Sequence, residues 1–210
     1  MESMKRRSFL KQSLLGSVAT LVATGAQAQM STPRDAEGPF YPITPQKDKD
    51  ADLTRVSGKT GIAKGTIIEI SGQVLDTELN PIEDATIDLW QANSFGKYHH
   101  PHDSSEAPID ENFQSWAIIQ SGSQGKFKFR TVMPGAYPLG AKDQRTPHIH
   151  IKVGKHGYEP LLTQMYFPDQ PLNETDGLYQ RKSKEQQKMM TAQRQGGDNQ
   201  YLYNIVLEKI

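Results

Sequence analysis

Seven short runs of β-branched and aromatic residues, separated by turn-forming residues, occupy the chain from Thr66 to Glu208. This pattern restricts the fold more than any other feature. Lys126–Arg130 shows it most clearly, because apolar and basic residues alternate there with the period of a half-buried strand. Such runs predict an all-β fold, an antiparallel β-sandwich with long functional loops. The predicted strands are Thr66–Leu75, Ala85–Trp90, Trp116–Gln120, Lys126–Thr131, His148–Val153, Leu161–Phe167 and Leu202–Glu208.

Only Ser183–Gln193 has the sequence of a helix, and its polar side chains predict a short surface helix. Two connections, Ser94–Glu111 and Pro134–Arg145, are long for the loops of a β-sandwich. Long loops on a rigid scaffold often carry functional residues. We therefore expect the function of the chain to depend on these two loops.

The first 28 residues have the features of an export signal. Lys5–Lys11 contains paired arginines followed by Ser, Phe and Leu, and an apolar run covers Leu14–Ala26. Small residues at Ala26 and Ala28 fit a cleavage site. The apolar run is shorter than the roughly 18 residues of a membrane span. The arginines favour the twin-arginine route over an ordinary secretion signal, which predicts a periplasmic or extracellular protein.

The sequence divides into three predicted parts. Residues 1–28 form the twin-arginine signal peptide, and residues 29–65 form an irregular N-terminal arm rich in Pro, Asp and Lys. Residues 66–210 form the β-sandwich catalytic domain. We expect the arm to lie over this domain, anchored by Phe40 and Tyr41.

Charge and cysteine content exclude several classes of function. The 210 residues include 24 Lys+Arg, 24 Asp+Glu and no Cys. Without the predicted signal the counts are 20 basic and 23 acidic residues, a net charge of about −3. We therefore expect no nucleic-acid partner and, after signal cleavage, no membrane partner. Stability must come from core burial and a bound metal rather than from disulfides.

His148 and His150 are the strongest candidates for metal ligands. Residues two apart on a strand point to the same face, so one ion could accept both imidazoles. Tyr137 lies on the preceding loop between Gly135 and Pro138, which would aim its ring, and could supply a phenolate. Imidazole and phenolate in a chain without cysteine favour Fe(3+). The alternative is a structural role for the histidine pair and for Tyr137.

A fourth ligand must come from another part of the chain. Tyr98, shortly after the second predicted strand, is one candidate. The cluster of His99, His100 and His102 is another, although a proline interrupts its spacing and a solvated loop would also explain it. His156 fits a turn.

Arg145 and Gln164 are candidates for contacts with a substrate. A guanidinium three residues from His148 raises the cost of binding a second cation, so it fits better beside bound anionic oxygen. An ordinary surface charge is the alternative for Arg145. Gln164 lies on the next predicted strand, where a core amide is an equally good interpretation.

Several motifs in one order, with compatible spacing, resemble those of the intradiol ring-cleavage dioxygenases, the protocatechuate 3,4-dioxygenase and catechol 1,2-dioxygenase group. The resemblance covers roughly Thr32–Phe167. Its specificity comes from the combination of motifs, since none is specific alone. The motifs are Gly38–Pro42, Gly72–Val74 with Pro81, Ala85–Asn93, Gly96–Tyr98, Pro134–Pro138, Arg145–His150 and Thr163–Phe167.

The resemblance implies a non-haem Fe(3+) enzyme with a solvent hydroxide as the fifth ligand. The implied protein ligands are Tyr98, Tyr137, His148 and His150. By the same analogy Tyr137 and His150 are axial, and Tyr137 leaves the metal when the substrate binds. The reaction implied is cleavage of a catechol-type ring between its two hydroxylated carbons with O2, which gives a muconate-type diacid.

The resemblance also assigns roles beside the metal. Arg145 would stabilise the negative, ketone-like form of the bound diol, and Gln164 would help to position it. Leu139 departs from the family pattern, because the protocatechuate enzymes carry Trp two residues after the second tyrosine. The chain as given also lacks the helical amino-terminal region of the catechol-type enzymes, so their dimer contact does not transfer. The substrate ring, and whether the chain forms a homo-oligomer, stay open.

Two other functions fit parts of the sequence. One is a ferrous oxygenase with two histidines and one carboxylate from Asp103, Asp110 or Asp143. The other is a non-catalytic β-sandwich binding module that displays its loops to a partner.

Overall fold

The computed structural model of the chain describes residues 29–44, 46–140 and 143–210. The predicted signal at residues 1–28 lies outside the described residues. Within the described residues, no helix combines the length and the apolar character needed to cross a membrane.

Short strands dominate the described residues, which confirms the predicted all-β fold. Eleven strands and two short α-helices are present there, with two 3-10 turns at Ser123–Gly125 and Pro171–Glu174. The strands are β1 (Ile67–Asp76), β2 (Thr86–Trp90), β3 (Trp116–Gln120), β4 (Lys126–Val132), β5 (Tyr137–Leu139), β6 (Asp143–Arg145), β7 (His148–Gly154), β8 (Leu161–Tyr166), β9 (Gln193–Arg194), β10 (Gln200–Leu202) and β11 (Ile205–Leu207). The helices are α1 (Gly177–Gln180) and α2 (Lys184–Met190).

Two sheets form the sandwich. The first has the order β11-β1-β10-β9, and β4 also pairs with β1. The second has the order β3-β2-β7-β8 and is antiparallel throughout. The predicted sandwich is confirmed, and its first sheet is mixed, because β10 and β11 both run parallel to β1. A separate hairpin joins β5 to β6.

The hydrophobic core lies between the two sheets. Strand β1 alternates half-buried and buried residues along its whole length, and its buried face includes Ile70. Ile87 on β2 and Ile149 and Ile151 on β7 are fully buried in the same cluster. Each such side chain contributes roughly 1.5–3 kcal/mol when it is removed from water. The core therefore fixes β7 at the centre of the second sheet.

One predicted strand is divided in the structure. The predicted segment Leu202–Glu208 begins at the last residue of β10 and contains all of β11, and Tyr203 and Asn204 lie between these two strands. The backbone amide of Gln73 donates to the Asn204 side chain at 3.0 Å, in place of a strand partner. A Cβ at Gly72 would overlap the carbonyl oxygen of Tyr203, so only glycine allows this approach.

Other elements differ from their predictions in length or position. Strand β1 begins and ends one residue later than predicted, and Pro81 in the turn that follows forms an isolated bridge with Leu75. Helix α2 is shorter than predicted: Ser183 and Gln186 form a capping box at its start, and it ends at Met190. The predicted loop Pro134–Arg145 contains β5 and β6, whose three residues each are too few to show a period. The four residues of α1 were likewise not predicted.

The described residues of the arm contain no helix or strand, although Asp52 forms an isolated bridge with Arg130. Phe40 and Tyr41 pack against a second apolar cluster, which lies on the side of the β3-β2-β7-β8 sheet away from the core. This cluster contains Trp90, Ala92, Tyr98, Trp116 and Tyr137. The arm thus covers the sheet face on which the two candidate histidines lie.

A buried carboxylate organises the turn after β1. Asp76 is 1% exposed, and it accepts hydrogen bonds from the backbone amides of Glu78 and Asn80 at 2.9 and 2.8 Å. The Lys209 ammonium lies 2.9 Å from its other oxygen. Burial raises the pKa of Asp76, but Lys209 and the Asn80 and Glu78 donors outweigh it and lower the pKa from 3.8 to about 2.

We predict that Asp76→Asn lowers the free energy of unfolding by about 2 kcal/mol at pH 7. The folded-state pKa lies below the unfolded value, so this stabilisation is present above pH 3.8 and is lost as the pH falls towards 2. Denaturant titrations at several pH values from 7 to 2 should show that the difference in the free energy of unfolding between Asp76→Asn and wild type becomes smaller as the pH falls. Glu78→Gln is the control, because the same lysine reaches this exposed carboxylate at 3.3 Å. It should change stability by less than about 0.5 kcal/mol. A pH-independent loss in Asp76→Asn would contradict the prediction.

Candidate metal centre

Two histidines lie on the outer face of β7. Ile149 and Ile151 point into the core, so the pleat directs His148 and His150 to the opposite face. Both imidazoles are nevertheless buried, with 2% and 1% of each residue exposed. Strand β7 is therefore covered on both faces, and the histidines face the arm and the loops instead of water.

Two tyrosines from different segments reach the same point. Tyr137 belongs to β5 and Tyr98 to the loop after β2, and both are buried. The Tyr98 hydroxyl lies 3.0 Å from Nε2 of His150, and the Tyr137 hydroxyl lies 3.3 Å from Nε2 of His148. The two Nε2 atoms are 3.2 Å apart. The structure thus brings all four predicted ligand residues together.

These separations fit a shared metal ion. Ligand atoms that are each about 2.0–2.1 Å from one ion lie about 3 Å apart when their bonds are near right angles. The donor set of two phenol oxygens and two imidazole nitrogens suits a hard cation of high charge. The residues that are present therefore fit the ferric ion that the sequence predicts.

The His148 ring has a defined tautomer. Its Nδ1 lies 2.6 Å from the carbonyl oxygen of Thr146, which can only accept a hydrogen bond. The proton of the neutral imidazole is therefore on Nδ1, and the lone pair of Nε2 points to the centre of the four side chains.

A stacked indole holds the His150 ring. Trp90 lies opposite His150 across the β2–β7 ladder, and the two rings are parallel within 6° at a centroid distance of 4.8 Å. Nδ1 of His150 has no hydrogen-bond partner among the described residues. Packing against Trp90 consequently orients this ring.

Burial keeps the four donors neutral. Burial, reinforced by the positive charge of Arg145, lowers the pKa of His148 from 6.5 to about 3, and burial also places the pKa of His150 well below 6.5. Burial raises the pKa of both tyrosines, and Arg145 opposes this shift at Tyr137. Two lone-pair nitrogens therefore face two phenols at neutral pH, and a strongly charged cation is needed to displace the phenol protons.

Close packing of two loops brings the tyrosines together. A Cβ at Gly96 would overlap the carbonyl of Ala136, and φ at Gly96 is +79°. The backbone carbonyl of Asn93 accepts from the amides of both Gly96 and Gly135, at 3.0 and 2.9 Å. The segment with Tyr98 is thereby joined to the segment with Tyr137.

Arg145 and Gln164 lie beside the four donors and bind each other. Nη2 of Arg145 donates to Oε1 of Gln164 at 2.6 Å, and Nε2 of Gln164 donates to the carbonyl of Ala36 at 2.8 Å. Arg145 is 3% exposed and pairs with Tyr137 across the β5–β6 hairpin. The guanidinium is therefore a buried positive charge next to the candidate metal centre, rather than a surface charge.

The remaining histidines lie apart from the donors. His99, His102 and His156 are exposed. His100 is buried, but its Nδ1 accepts from the backbone amide of His102 at 3.1 Å, and burial lowers its pKa. Phe40 stacks between His100 and Tyr98, with centroid distances of 5.7 and 4.8 Å. Of the cluster, His100 thus belongs to the wall around the centre.

The carboxylates of the ferrous alternative have other partners. Asp103 accepts from the amide of Tyr98 at 2.7 Å, and Asp110 accepts from the amides of Lys64 and Asn112. Asp143 is exposed at the start of β6. Among residues 29–44, 46–140 and 143–210, no three His, Cys, Asp or Glu side chains are grouped to hold a metal.

Three residues of the site were missed at the sequence level. Trp90 and Tyr166 reach it through strand pairing, because they lie opposite His150 and His148 in the ladders of β7. Asp176 forms an ion pair with Arg145 at 2.8 Å. A helix N-cap signal could have identified Asp176 as structural, but strand register and chain path determine the contacts of all three.

Known proteins resemble the chain over most of its length. A family model described as Dioxygenase matches residues 36–209. The beta chain of protocatechuate 3,4-dioxygenase from Burkholderia cepacia is 37% identical over 150 residues, which cover 70% of this chain and 64% of that protein. Hydroxyquinol 1,2-dioxygenase from Rhizobium sp. is 30% identical over 129 residues, covering 55% of this chain and 42% of that protein. The chain therefore spans less than two thirds of these curated relatives.

A solved structure also resembles the chain. The dioxygenase domain of a dioxygenase carbohydrate-binding protein fusion from Streptomyces sp. SirexAA-E superposes with a TM-score of 0.65 and 26% identity. The match covers 86% of this chain and 100% of that one. The family model matches residues 36–209, and the four donor side chains converge in the same fold. The chain therefore belongs to the intradiol ring-cleavage dioxygenase family.

Proposed function

We propose that the chain is a non-haem Fe(3+) intradiol dioxygenase. It cleaves a catechol-type ring between the two hydroxylated carbons with O2 and forms a muconate-type diacid. The observation that carries this proposal is the convergence of two phenol oxygens and two imidazole nitrogens at separations of 3.0–3.3 Å. The printed names of the two curated relatives support it, since they specify dioxygenases of protocatechuate and of hydroxyquinol.

Tyr98, Tyr137, His148 and His150 would hold the metal. A ferric ion bound there supplies the charge that deprotonates coordinated phenols and makes a chelated catecholate reactive towards O2. Two phenolates compensate much of that charge, and the two imidazoles add none. The donor set therefore favours the oxidised metal.

The surrounding residues receive and orient the substrate. A catechol bound through both oxygens would give up two protons, of which the phenolate oxygen of Tyr137 would take one and a hydroxide from solvent the other. Arg145 lies beside Tyr137 and stabilises negative charge on the bound diol oxygen. Gln164, fixed between Arg145 and the Ala36 carbonyl, helps to position the ring.

The protein excludes water from this centre. Each of the four donor residues is at most 6% exposed, and Phe40 covers the two tyrosines at centroid distances of 4.8 and 6.1 Å. A dry site strengthens the interaction of Arg145 with an anionic oxygen. Leu139, 46% exposed at the end of β5, is available to contact a ring substituent.

We predict that the purified protein binds one iron per chain and has a visible phenolate-to-iron absorption band. Tyr98→Phe and Tyr137→Phe should each weaken or shift this band, because each removes one phenolate. Iron analysis and absorption spectra test this. Tyr203→Phe is the matched control, since its hydroxyl is buried without a hydrogen-bond partner in the described part of the chain. Iron that binds without such a band would point to a different ligand set.

We predict that catechols displace this band in an anaerobic titration of the iron-loaded protein, and that admitting air yields the muconate-type diacid. Arg145→Leu should weaken catechol binding while the protein keeps its iron, because the guanidinium is not among the donors. Product analysis over a panel of substituted catechols would identify the preferred ring. Ring opening beside the two hydroxyls, rather than between them, would refute the intradiol assignment.

We also propose export by the twin-arginine route, supported by Arg6 and Arg7 and the apolar run that follows. The mature chain should begin at Gln29, and changing both arginines to lysine should stop processing. Fractionation and N-terminal sequencing of the expressed full chain test this. Lys5→Arg, which leaves the pair intact, is the control. Continued export of the double-lysine variant would assign the signal to the general secretion route.

A further inference from the structure

We propose that Asp176 is a positioning residue for Arg145, and that the helical excursion after β8, residues 167–194, is therefore part of the substrate-binding site. This inference rests on the proposed function. It extends that function because Asp176 is not one of the four proposed metal ligands. The excursion contains α1 and α2, and the sequence predicts only one part of it, Ser183–Gln193, as a polar surface helix.

Both oxygens of Asp176 are occupied. Its carboxylate is 0% exposed, and Oδ2 accepts from Nε of Arg145 at 2.8 Å and from the amide of Thr146 at 2.9 Å. Oδ1 accepts from the amides of Leu178 and Tyr179 at 2.9 and 3.1 Å, which caps α1. The carboxylate cannot rotate without losing one of these pairs, so the start of α1 fixes the position of the guanidinium.

Three side chains hold the guanidinium. Nε binds Asp176, and Nη2 binds Gln164 at 2.6 Å and the hydroxyl of Tyr166 at 3.3 Å. None of these hydrogen bonds uses Nη1, which we expect to face the substrate together with the neighbouring phenol of Tyr137. Across the hairpin, Arg145 lies opposite Tyr137. The guanidinium is therefore held beside Tyr137, the residue that under the proposed function would leave the metal.

Charge makes this contact necessary. The Arg145 and Asp176 side chains are 4% and 0% exposed, and a buried cation without a counter-ion is strongly unfavourable. Without the carboxylate, the guanidinium would move towards water or towards the phenol of Tyr137. Either movement removes Nη1 from its position. Asp176 thus acts on substrate through Arg145.

Asp176 also supports the backbone next to His148. It binds the amide of Thr146, whose carbonyl accepts the proton on Nδ1 of His148 at 2.6 Å. The Thr146 hydroxyl donates to Asn173, another residue of the excursion, at 2.8 Å. A test must therefore separate an effect on the metal from an effect on Arg145.

Asp176→Asn keeps the shape of the side chain and one acceptor oxygen for the N-cap but removes the charge, so iron content reports its effect on the metal and catechol affinity reports its effect on Arg145. We expect unchanged iron content and an unchanged resting absorption band. The anaerobic dissociation constant for catechol should rise about 10- to 100-fold, with a smaller change in kcat than in KM. Asp176→Ser, also a strong N-cap residue, gives a second uncharged variant, and Asp176→Glu should recover part of the affinity.

A double-variant comparison tests the route of the effect. If Asp176 acts through Arg145, adding Asp176→Asn to Arg145→Leu should weaken catechol binding no further. Ser183→Ala is the matched control in the same excursion: it removes the N-cap of α2, makes no contact with Arg145, and should leave catechol affinity unchanged.

The outcomes distinguish this inference from the proposed function. Wild-type affinity in a folded Asp176→Asn protein, or additive losses in the double variant, would overturn the positioning role alone. Loss of iron from Asp176→Asn would also overturn it, because the carboxylate would then act through the Thr146 backbone. A wild-type protein that binds neither iron nor catechol would overturn the proposed function before any variant is compared.

Discussion

Strand β7 is covered on both faces, and the rest of the site depends on this. Ile149 and Ile151 anchor the strand in the core, and the same pleat turns His148 and His150 towards the arm and the loops. The backbone at His148 and His150 cannot shift without displacing Ile149, which lies between them in the core. The packing of the core therefore fixes the positions of two nitrogen donors. The two tyrosines lie on shorter segments that pack against each other.

A single buried positive charge organises the neighbourhood of the donors. The four donor groups are neutral at physiological pH without metal, and Arg145 is the cation beside them. Its charge is balanced by Asp176 rather than by a phenolate, so the phenols stay available for the metal. The four donors and the Arg145–Asp176 ion pair thus form separate units that lie side by side.

Different parts of the structure could be predicted to different degrees. Strand β4 could be predicted from the period of two in Lys126–Arg130, and the shared face of β7 from the His-x-His pair. Both features depend on residues that are close in sequence. Strands β5 and β6 are too short to show a period. The parallel pairing of β10 and β11 with β1 depends on a chain path that no local pattern encodes. Asp176 lies outside every motif, and its partner is 31 residues away.

The sequence by itself determined the all-β class, the types of donor side chain and the common face of His148 and His150, since each follows from local spacing or side-chain chemistry. Only the tertiary structure decided that Tyr98 and Tyr137 meet these histidines, that Trp90 stacks on His150, and that Asp176 balances Arg145. Strand register and loop packing set those contacts. They come from the burial of the whole core, which no short segment can specify alone.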